Sequence, residues 1–179
     1  MKMSNKNFTA NKNFLSKKKI IFSIVVPCFN AAKTIDRTFL SLLKQSYKNF
    51  EVIIINDGST DKSSEIIKKY LSQDPRFVCI NHIKKRGVAN SRNTGLDYVR
   101  GKYICFLDAD DWWPKNKLDI YLEFLKKGYE ILYSDYTRIN IINGEKKIVK
   151  VIKYLKYENL ISSNYIPMSS AVFNSKSLG

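Results

Sequence analysis

The chain has 179 residues, 44% of them hydrophobic and 13% aromatic, which is enough to bury a core and excludes wholesale disorder. The 31 Lys and Arg residues outnumber the 16 Asp and Glu residues and give a net charge of +15, and no apolar run approaches the ~20 residues of a membrane-spanning helix. One histidine and three widely separated cysteines exclude Ser-His-Asp catalysis, a four-ligand zinc site and a disulfide framework, and they predict a cytoplasmic protein with reduced thiols.

Strand-like and helix-like patterns alternate along the chain. Residues 1–19 are polar and aperiodic, so they are predicted to form a flexible basic tail. Continuous apolar runs, typical of strands buried on both faces, occur at Ile20–Val26, Val52–Ile55, Phe77–Ile80, Tyr103–Leu107 and Ile131–Tyr133. Pro27 is expected to end the first of these strands.

The segments between the apolar runs carry helix signals. Helices are predicted to begin at Ile35, at Thr60 or Asp61, at Gly87 and at Pro114. The Asn143-Gly144 pair predicts the turn of a β-hairpin near 138–152. A helix around Glu158–Ser162 and an extended segment at Met168–Phe173 follow.

This alternation predicts an α/β fold, in which a mostly parallel central sheet has helices on both faces in three α/β/α layers. In open sheets of this kind, ligands bind beyond the carboxyl ends of the strands. Polar side chains occur after three of the predicted strands, at Asn30, Asp57 and Asp108, and after the predicted helix start at Gly87, around Arg92. We therefore expect one functional site at that edge.

The segment Asp108-Ala109-Asp110 follows a buried strand. Residues i and i+2 of an extended chain point to the same side, so these two carboxylates repel each other unless a cation or hydrogen-bond donors lie between them. Hard oxygen ligands favour Mg²⁺ or Mn²⁺, which also bridge phosphate oxygens. The alternative is a solvated acidic turn that caps the following helix.

Other polar residues at this edge also have two interpretations. Asp57 lies in an Asn-Asp-Gly turn, where it serves turn chemistry or accepts a hydrogen bond from the N–H of a nucleobase. Arg92 and Asn93 lie on a short helix, and the helical spacing of Ala89, Asn93 and Leu96 predicts that Asn93 lies near its buried face. The N-terminus of this helix suits an anion, although Arg92 could instead form a structural salt bridge with a nearby Asp. Trp112 and Trp113 either form a sugar-stacking wall or pack into the core. The remaining candidates are interpreted as structural, namely His82, Cys28, Cys79 and Cys105.

The positive charge is concentrated in two clusters of lysines. One precedes the first strand and the other lies between residues 146 and 156. Such clusters suit an anionic membrane surface or an acidic substrate, and the alternative is a compositional bias with a solvated tail. The chain has no nucleic-acid recognition module, so nucleic acid is not an expected partner.

Four motifs in register resemble the nucleotide-sugar glycosyltransferases of family 2, with the GT-A fold, of the type that builds bacterial surface polysaccharides. They are the segments at Ser23–Asn30, Asn56–Asp61, Gly87–Gly95 and Leu107–Asp111. The resemblance covers roughly residues 20–135, which would form the nucleotide-sugar-binding core, whereas residues 136–179 would begin the acceptor-side half.

The resemblance implies a role for each matching residue. A UDP-sugar donor would contact Pro27, Phe29, Asn30, Asp57, Arg92, Asn93 and Asp108, with Asp57 facing uracil and Asp108 near the ribose. Asp110 would ligate a divalent metal, Mn²⁺ or Mg²⁺, that bridges the two phosphates. The metal would stabilise the departing diphosphate, so that a glycan or lipid-linked glycan acceptor could attack the sugar carbon in line. Such an enzyme would be a hexosyltransferase, with the cytoplasmic face of the membrane as a second expected location.

The resemblance also implies a general base that this sequence does not supply. The base belongs to a Glu-Asp pair that follows the segment corresponding to Met168–Phe173, and no such pair occurs here. We therefore expect the base beyond Gly179, and an inverting transferase of which this chain is a truncated, inactive donor-binding fragment. The competing hypothesis is a non-catalytic nucleotide- or polyanion-binding α/β domain, which the net charge favours.

Overall fold

The structure, a computed structural model, describes residues 8–10, 19–152 and 166–178. Nine strands are present in this part of the chain: β1 Phe8–Ala10, β2 Phe22–Cys28, β3 Phe50–Asn56, β4 Phe77–Asn81, β5 Tyr103–Phe106, β6 Ile131–Leu132, β7 Tyr136–Ile139, β8 Lys146–Val149 and β9 Val172–Asn174. Four α-helices lie between them: α1 Ile35–Leu43, α2 Ser63–Gln73, α3 Val88–Leu96 and α4 Lys117–Lys126. The 3-10 helices Met168–Ser170 and Ser175–Leu178 flank β9.

Seven strands form one sheet in the order β1-β4-β3-β2-β5-β9-β6. The four central strands β4, β3, β2 and β5 are parallel to one another. At the sides of the sheet, β1 is antiparallel to β4, and β9 is antiparallel to both β5 and β6. Every residue of β2 and β3 is buried, as their continuous apolar sequences predict. The mostly parallel α/β sheet is therefore confirmed.

The two faces of the sheet carry separate apolar cores. One face packs against α1, α2 and α4 through residues such as Phe39, Tyr70 and Leu118. The opposite face, which includes Val25 and Ile53, packs against Leu96 of α3 and its C-terminal flank. This arrangement gives the three predicted layers, and it places the N-terminus of α3 at the carboxyl edge of the sheet.

The prediction that Pro27 ends the first strand is wrong, because β2 continues through it to Cys28. Backbone polar groups of alternate strand residues face the same neighbour, and the Val25 carbonyl accepts a hydrogen bond from the N–H of Leu107 on the β5 side. Pro27 therefore also faces that side, where the ladder between β2 and β5 has already ended at Val25. The missing N–H removes no hydrogen bond from this ladder.

Two helices begin later than predicted. Helix α2 begins at Ser63, and Asp61, a predicted cap, accepts a hydrogen bond from the Ser63 N–H at 2.9 Å. Helix α4 begins at Lys117 rather than at Pro114, whose carbonyl accepts hydrogen bonds from the Lys117 N–H and, at 2.8 Å, from Gln45. The Gln45 side chain thus holds the turn that precedes α4.

The N-terminal end of the chain also differs from its prediction. Phe8–Ala10, inside the segment predicted as a flexible tail, pairs with β4 as an edge strand. The predicted hairpin near 138–152 is confirmed as β7 and β8, whereas the helix predicted around Glu158–Ser162 lies outside the described residues. Within the described ranges, no helix has the length and apolar character that a membrane span requires.

Candidate functional site

A cavity of about 470 Å³ lies at the carboxyl ends of β2, β3 and β5, beside the N-terminus of α3. Six of the eight predicted site residues line it, namely Pro27, Phe29, Asn30, Asp57, Asp108 and Asp110. Cys28, Lys85, Gly87 and Ser91 also line it, although the sequence did not single them out as ligand-binding residues. The parallel strands therefore bring together most of the side chains that were expected to meet.

Asn93 is one of the two predicted site residues that do not line the cavity. It is exposed and does not line the cavity, because α3 turns Ser91 and Gly95 toward the sheet instead. A Cβ atom on Gly95 would lie 2.3 Å from Cγ1 of Val25, so the helix approaches β2 too closely for any side chain there. The apolar spacing of α3 had indicated that Asn93 shares the buried face, and this interpretation is wrong.

Asp57 is almost fully buried and accepts three hydrogen bonds. Its Oδ1 lies 2.6 Å from Nδ1 of His82 and 2.9 Å from the backbone N of Arg86, and its Oδ2 lies 2.8 Å from the backbone N of Gly87. Burial acts to raise the pKa of Asp57, but the hydrogen bonds from His82, Arg86 and Gly87 outweigh it and lower the pKa below its ordinary value. Asp57 is therefore an ionised acceptor at the cavity wall.

His82 has a positioning role that the sequence alone did not reveal. It follows directly after β4, at the same edge as the other site residues, and its second ring nitrogen lies 3.1 Å from the hydroxyl of Thr94 on α3. The imidazole therefore links Asp57 to the helix. Its place at the end of a buried strand was the signal that could have identified it.

Asn30 fastens two loops of the site together. Its φ angle of 48° is in the left-handed region, its Oδ1 accepts a hydrogen bond from the Thr60 N–H at 2.8 Å, and its own N–H donates to Ser59 at 3.1 Å. The neighbouring Cys28 is closed off by the same loops, and burial raises the pKa of its thiol to about 11. Cys28 is therefore a neutral thiol at physiological pH, which agrees with the structural role predicted for it.

The acidic loop after β5 is held by side chains from three directions. Nη2 of Arg92 lies 2.6 Å from Oδ1 of Asp108, so the salt bridge predicted as an alternative role for Arg92 is present. The Asp108 N–H donates to Oγ of Ser169, and Nη2 of Arg37 donates to the Asp110 carbonyl at 3.1 Å. Arg92 itself does not line the cavity.

The carboxylates of this loop lie close enough to repel one another. Burial raises the pKa of Asp111, and the neighbouring charges of Asp110 and Asp108 raise it further. Within the described ranges, no three His, Cys, Asp or Glu side chains form a group that could hold a metal ion by themselves. The loop thus offers carboxylate oxygens, the type of ligand that hard divalent cations prefer, but the described residues bring fewer than three such ligands together.

The two tryptophans after the acidic loop have different environments. Trp113 is buried, and its Nε1 donates to the Ser169 carbonyl at 2.7 Å. Trp112 is 39% exposed and lies under the guanidinium of Arg37, at 3.6 Å from the ring centroid. Core packing is therefore confirmed for Trp113 alone.

A second cavity, of about 630 Å³, lies on the other side of the acidic loop. Asp111, Trp112 and Trp113 line it together with residues of α4 and the β7–β8 hairpin. Lys117 on its wall is buried, and this burial lowers the pKa of the ammonium group from 10.5 to about 8. Asp135 also lines this cavity, where its Oδ1 accepts a hydrogen bond from the Val151 N–H at 2.8 Å.

Replacing Lys117 by Met is expected to raise the free energy of unfolding by about 2–3 kcal/mol at pH 7. The unfolded lysine keeps its proton up to about pH 10.5 and the folded one up to about pH 8, so burial of the charge costs stability below pH 8. That cost falls as the pH rises between these values, and the advantage of the variant should shrink by about 1 kcal/mol from pH 7 to pH 9. Urea unfolding at both pH values measures it, with the exposed Lys115→Met as control. If Lys117→Met gained the same stability at both pH values, the cost would not come from burying the charged ammonium group of Lys117.

Comparisons with known proteins identify the family of the chain. Residues 23–174 match the family model described as glycosyl transferase family 2. The chain is 36% identical over 160 residues to UDP-Glc:alpha-D-GlcNAc-diphosphoundecaprenol beta-1,3-glucosyltransferase WfaP of Escherichia coli. This match covers 86% of this chain and 63% of WfaP. It is 38% identical over 130 residues to the amylovoran biosynthesis glycosyltransferase AmsB of Erwinia amylovora, and this match covers 70% of this chain and 43% of AmsB. The chain thus spans less than two thirds of the length of these relatives.

The fold is also that of solved structures. S. aureus TarS 1-349 in complex with UDP-GlcNAc superposes with a TM-score of 0.72 at 23% identity, covering 89% of this chain and 46% of TarS. At this identity the likeness shows the GT-A fold alone. Since the family model spans most of the sequence, the chain belongs to glycosyl transferase family 2.

Proposed function

We propose that this chain binds a UDP-sugar in the 470 Å³ cavity and is the donor-binding part of an inverting glycosyltransferase, of the hexosyltransferase class, that acts on a glycan or lipid-linked glycan acceptor. The observation that carries this proposal is the ionised carboxylate of Asp57, held by three donors at the wall of a cavity that Asp108 and Asp110 also line. The printed names of WfaP, with its UDP-Glc donor, and of the TarS complex with UDP-GlcNAc support the choice of nucleotide.

Donor recognition follows from the cavity walls. Oδ2 of Asp57 accepts only one hydrogen bond from the described residues, so it can accept a second one from the N3–H of uracil. Pro27 and Phe29 supply apolar surface for the base. Arg92 acts through its ion pair with Asp108 and thereby fixes the carboxylate that faces the ribose.

Asp110, beside Asp108, is the residue that would hold a divalent cation. It is exposed at the cavity, and its backbone is fixed by Arg37. Mn²⁺ or Mg²⁺ bound there would neutralise charge on the diphosphate as it departs. Because Arg92 already holds the Asp108 carboxylate and Arg37 holds the Asp110 backbone, ligand binding would require little reordering of the loop.

The 630 Å³ cavity is the proposed acceptor side. It shares the acidic loop with the donor cavity, since Asp110 lines one and Asp111 lines the other. Its wall combines indole rings with carboxylates, and both groups recognise sugar rings, through stacking and through hydrogen bonds to hydroxyl groups. An acceptor bound there would approach the donor across the loop.

Changing Asp110 to Ala is expected to weaken UDP binding in the presence of Mn²⁺ by at least about tenfold, or ~1.4 kcal/mol. The cation contributes only where a carboxylate helps to hold it, so without Mn²⁺ the variant and the unmodified chain should bind UDP equally. Isothermal titration with UDP, with and without Mn²⁺, measures this difference, and the exposed Asp97→Ala is the control.

The same titrations test the competing hypothesis of a polyanion-binding domain, which the net charge of +15 favours. Such a domain would bind heparin as tightly as UDP, would lose affinity steeply with added salt and would be indifferent to Asp110→Ala. That result would reject the glycosyltransferase proposal.

A further inference from the structure

The hydroxyl group of Ser91 is buried at the cavity without a hydrogen-bond partner. Ser91 has no solvent-exposed surface and lines the 470 Å³ cavity, and among the described residues nothing donates to its Oγ or accepts from it. A buried hydroxyl that forms no hydrogen bond is costly, and most such groups in proteins have a partner. The free hydroxyl therefore indicates that a ligand supplies the missing acceptor.

The orientation of α3 brings Ser91 close to Asp57. The Ser91 N–H donates to the Gly87 carbonyl at 3.0 Å, so the two residues are one helical turn apart. Helical side chains tilt toward the N-terminus, which directs Ser91 back to the turn where the Gly87 N–H binds Asp57. Gly95, one turn later, packs on Val25.

The strands confirm the side of the sheet on which these groups meet. Pro27 lies two residues after Val25 in β2, so both face α3. Ile55 of β3 also faces α3, and Asp57 follows it at the same two-residue spacing. Asp57, Pro27 and Ser91 therefore surround one end of the cavity, with an ionised acceptor and a hydroxyl donor beside an apolar ring.

We propose that the Ser91 hydroxyl donates a hydrogen bond to a carbonyl oxygen of the uracil ring, next to the N3–H that Asp57 accepts. This inference rests on the proposed function, because it assigns part of the donor to this end of the cavity. The edge of uracil presents an N–H between two carbonyl oxygens. One acceptor and one hydroxyl donor match two adjacent groups of that edge, and Ser91 becomes a residue that selects the base.

Replacing Ser91 by Ala tests the proposal, since it deletes only the hydroxyl. Titration of the purified chain with UDP and Mn²⁺ should show affinity about tenfold weaker than that of the unmodified chain. The melting temperature without nucleotide should stay the same or rise, because the variant no longer buries an unpaired hydroxyl. Ser72→Ala, an exposed serine of α2, is the control and should change neither value.

Thio-substituted nucleotides identify the contact itself. The diphosphates of 4-thiouridine and 2-thiouridine each replace one carbonyl oxygen by sulfur, a weak acceptor. The unmodified chain should bind one of them several-fold more weakly than UDP, and Ser91→Ala should bind that analogue and UDP equally. A Ser91→Ala variant with unchanged UDP affinity, or with equal losses for all three nucleotides, overturns the role of Ser91 and leaves the proposed function standing. Failure of the unmodified chain to bind UDP overturns both.

Discussion

Replacing Asp57 by Asn is expected to weaken UDP binding by at least 100-fold, or about 3 kcal/mol, and to lower the free energy of unfolding by about 2–4 kcal/mol. The carboxylate accepts hydrogen bonds at both oxygens, from His82 and from two backbone N–H groups. An Asn side chain turns one of these oxygens into an NH₂ group, which faces a donor and leaves it unpaired. The same change removes the charged acceptor that we propose for the uracil N3–H.

The pH dependence of this effect distinguishes lost hydrogen bonds to an anion from a general loss of packing. The pKa of Asp57 is lowered in the folded state, so its contribution to stability is fully present above the unfolded value near 3.8 and is lost as the pH falls through the folded pKa. The stability difference between the unmodified chain and Asp57→Asn should therefore be constant near neutral pH and shrink in acid below about pH 4.

Urea unfolding at pH 7, 5 and 3 measures this difference, and titration with UDP at pH 7 measures the binding. Asp97→Asn changes an exposed aspartate at the end of α3, outside the cavity, and is the matched control for both measurements. A stability difference that persists unchanged at pH 3 would show that the ionised carboxylate is not what these donors stabilise.

The sequence predicted the architecture well because apolar runs and turn residues are local signals. The runs from Val52 to Ile55 and from Tyr103 to Leu107 are buried on both faces, and such segments are stable only inside a sheet. Because the carboxyl ends of parallel strands meet at one edge, the site residues that follow them could be predicted to cluster. Asp57 and Asp108 line the same cavity for this reason.

The rest of the site depends on contacts between distant parts of the chain. Ser169 lies 61 residues after Asp108, and the hydrogen bond that fixes the loop cannot be inferred from either residue alone. The orientation of α3 was misjudged because periodicity counts apolar residues, whereas Gly95 allows a close approach that decides which face is buried. The unpaired hydroxyl of Ser91 likewise becomes visible only when every neighbouring donor and acceptor is placed.

The second large effect is expected at Gly58, the residue after Asp57. Changing it to Ala should lower the free energy of unfolding by about 2–4 kcal/mol and weaken UDP binding about tenfold or more. Its φ angle is +71°, and an added Cβ would lie 2.8 Å from the backbone atoms of Lys84 and Lys85. Since these are backbone atoms, no side-chain rotation relieves the contact, and the loop that carries Arg86 and Gly87 must move.

Movement of that loop is what connects stability to binding at Gly58. The Arg86 and Gly87 N–H groups are two of the three donors to Asp57, so displacing them raises the free energy of this buried carboxylate, the proposed nucleotide contact. Gly144 in the β7–β8 turn offers a matched control, because its φ angle is +73° and an added Cβ meets nothing within 4 Å. Gly144→Ala should cost only the backbone strain, about 1–2 kcal/mol, and leave UDP affinity unchanged. If the two variants lose equal stability and bind UDP equally well, then the Lys84–Gly87 loop does not position Asp57, because strain at a positive φ would then account for the whole effect at Gly58.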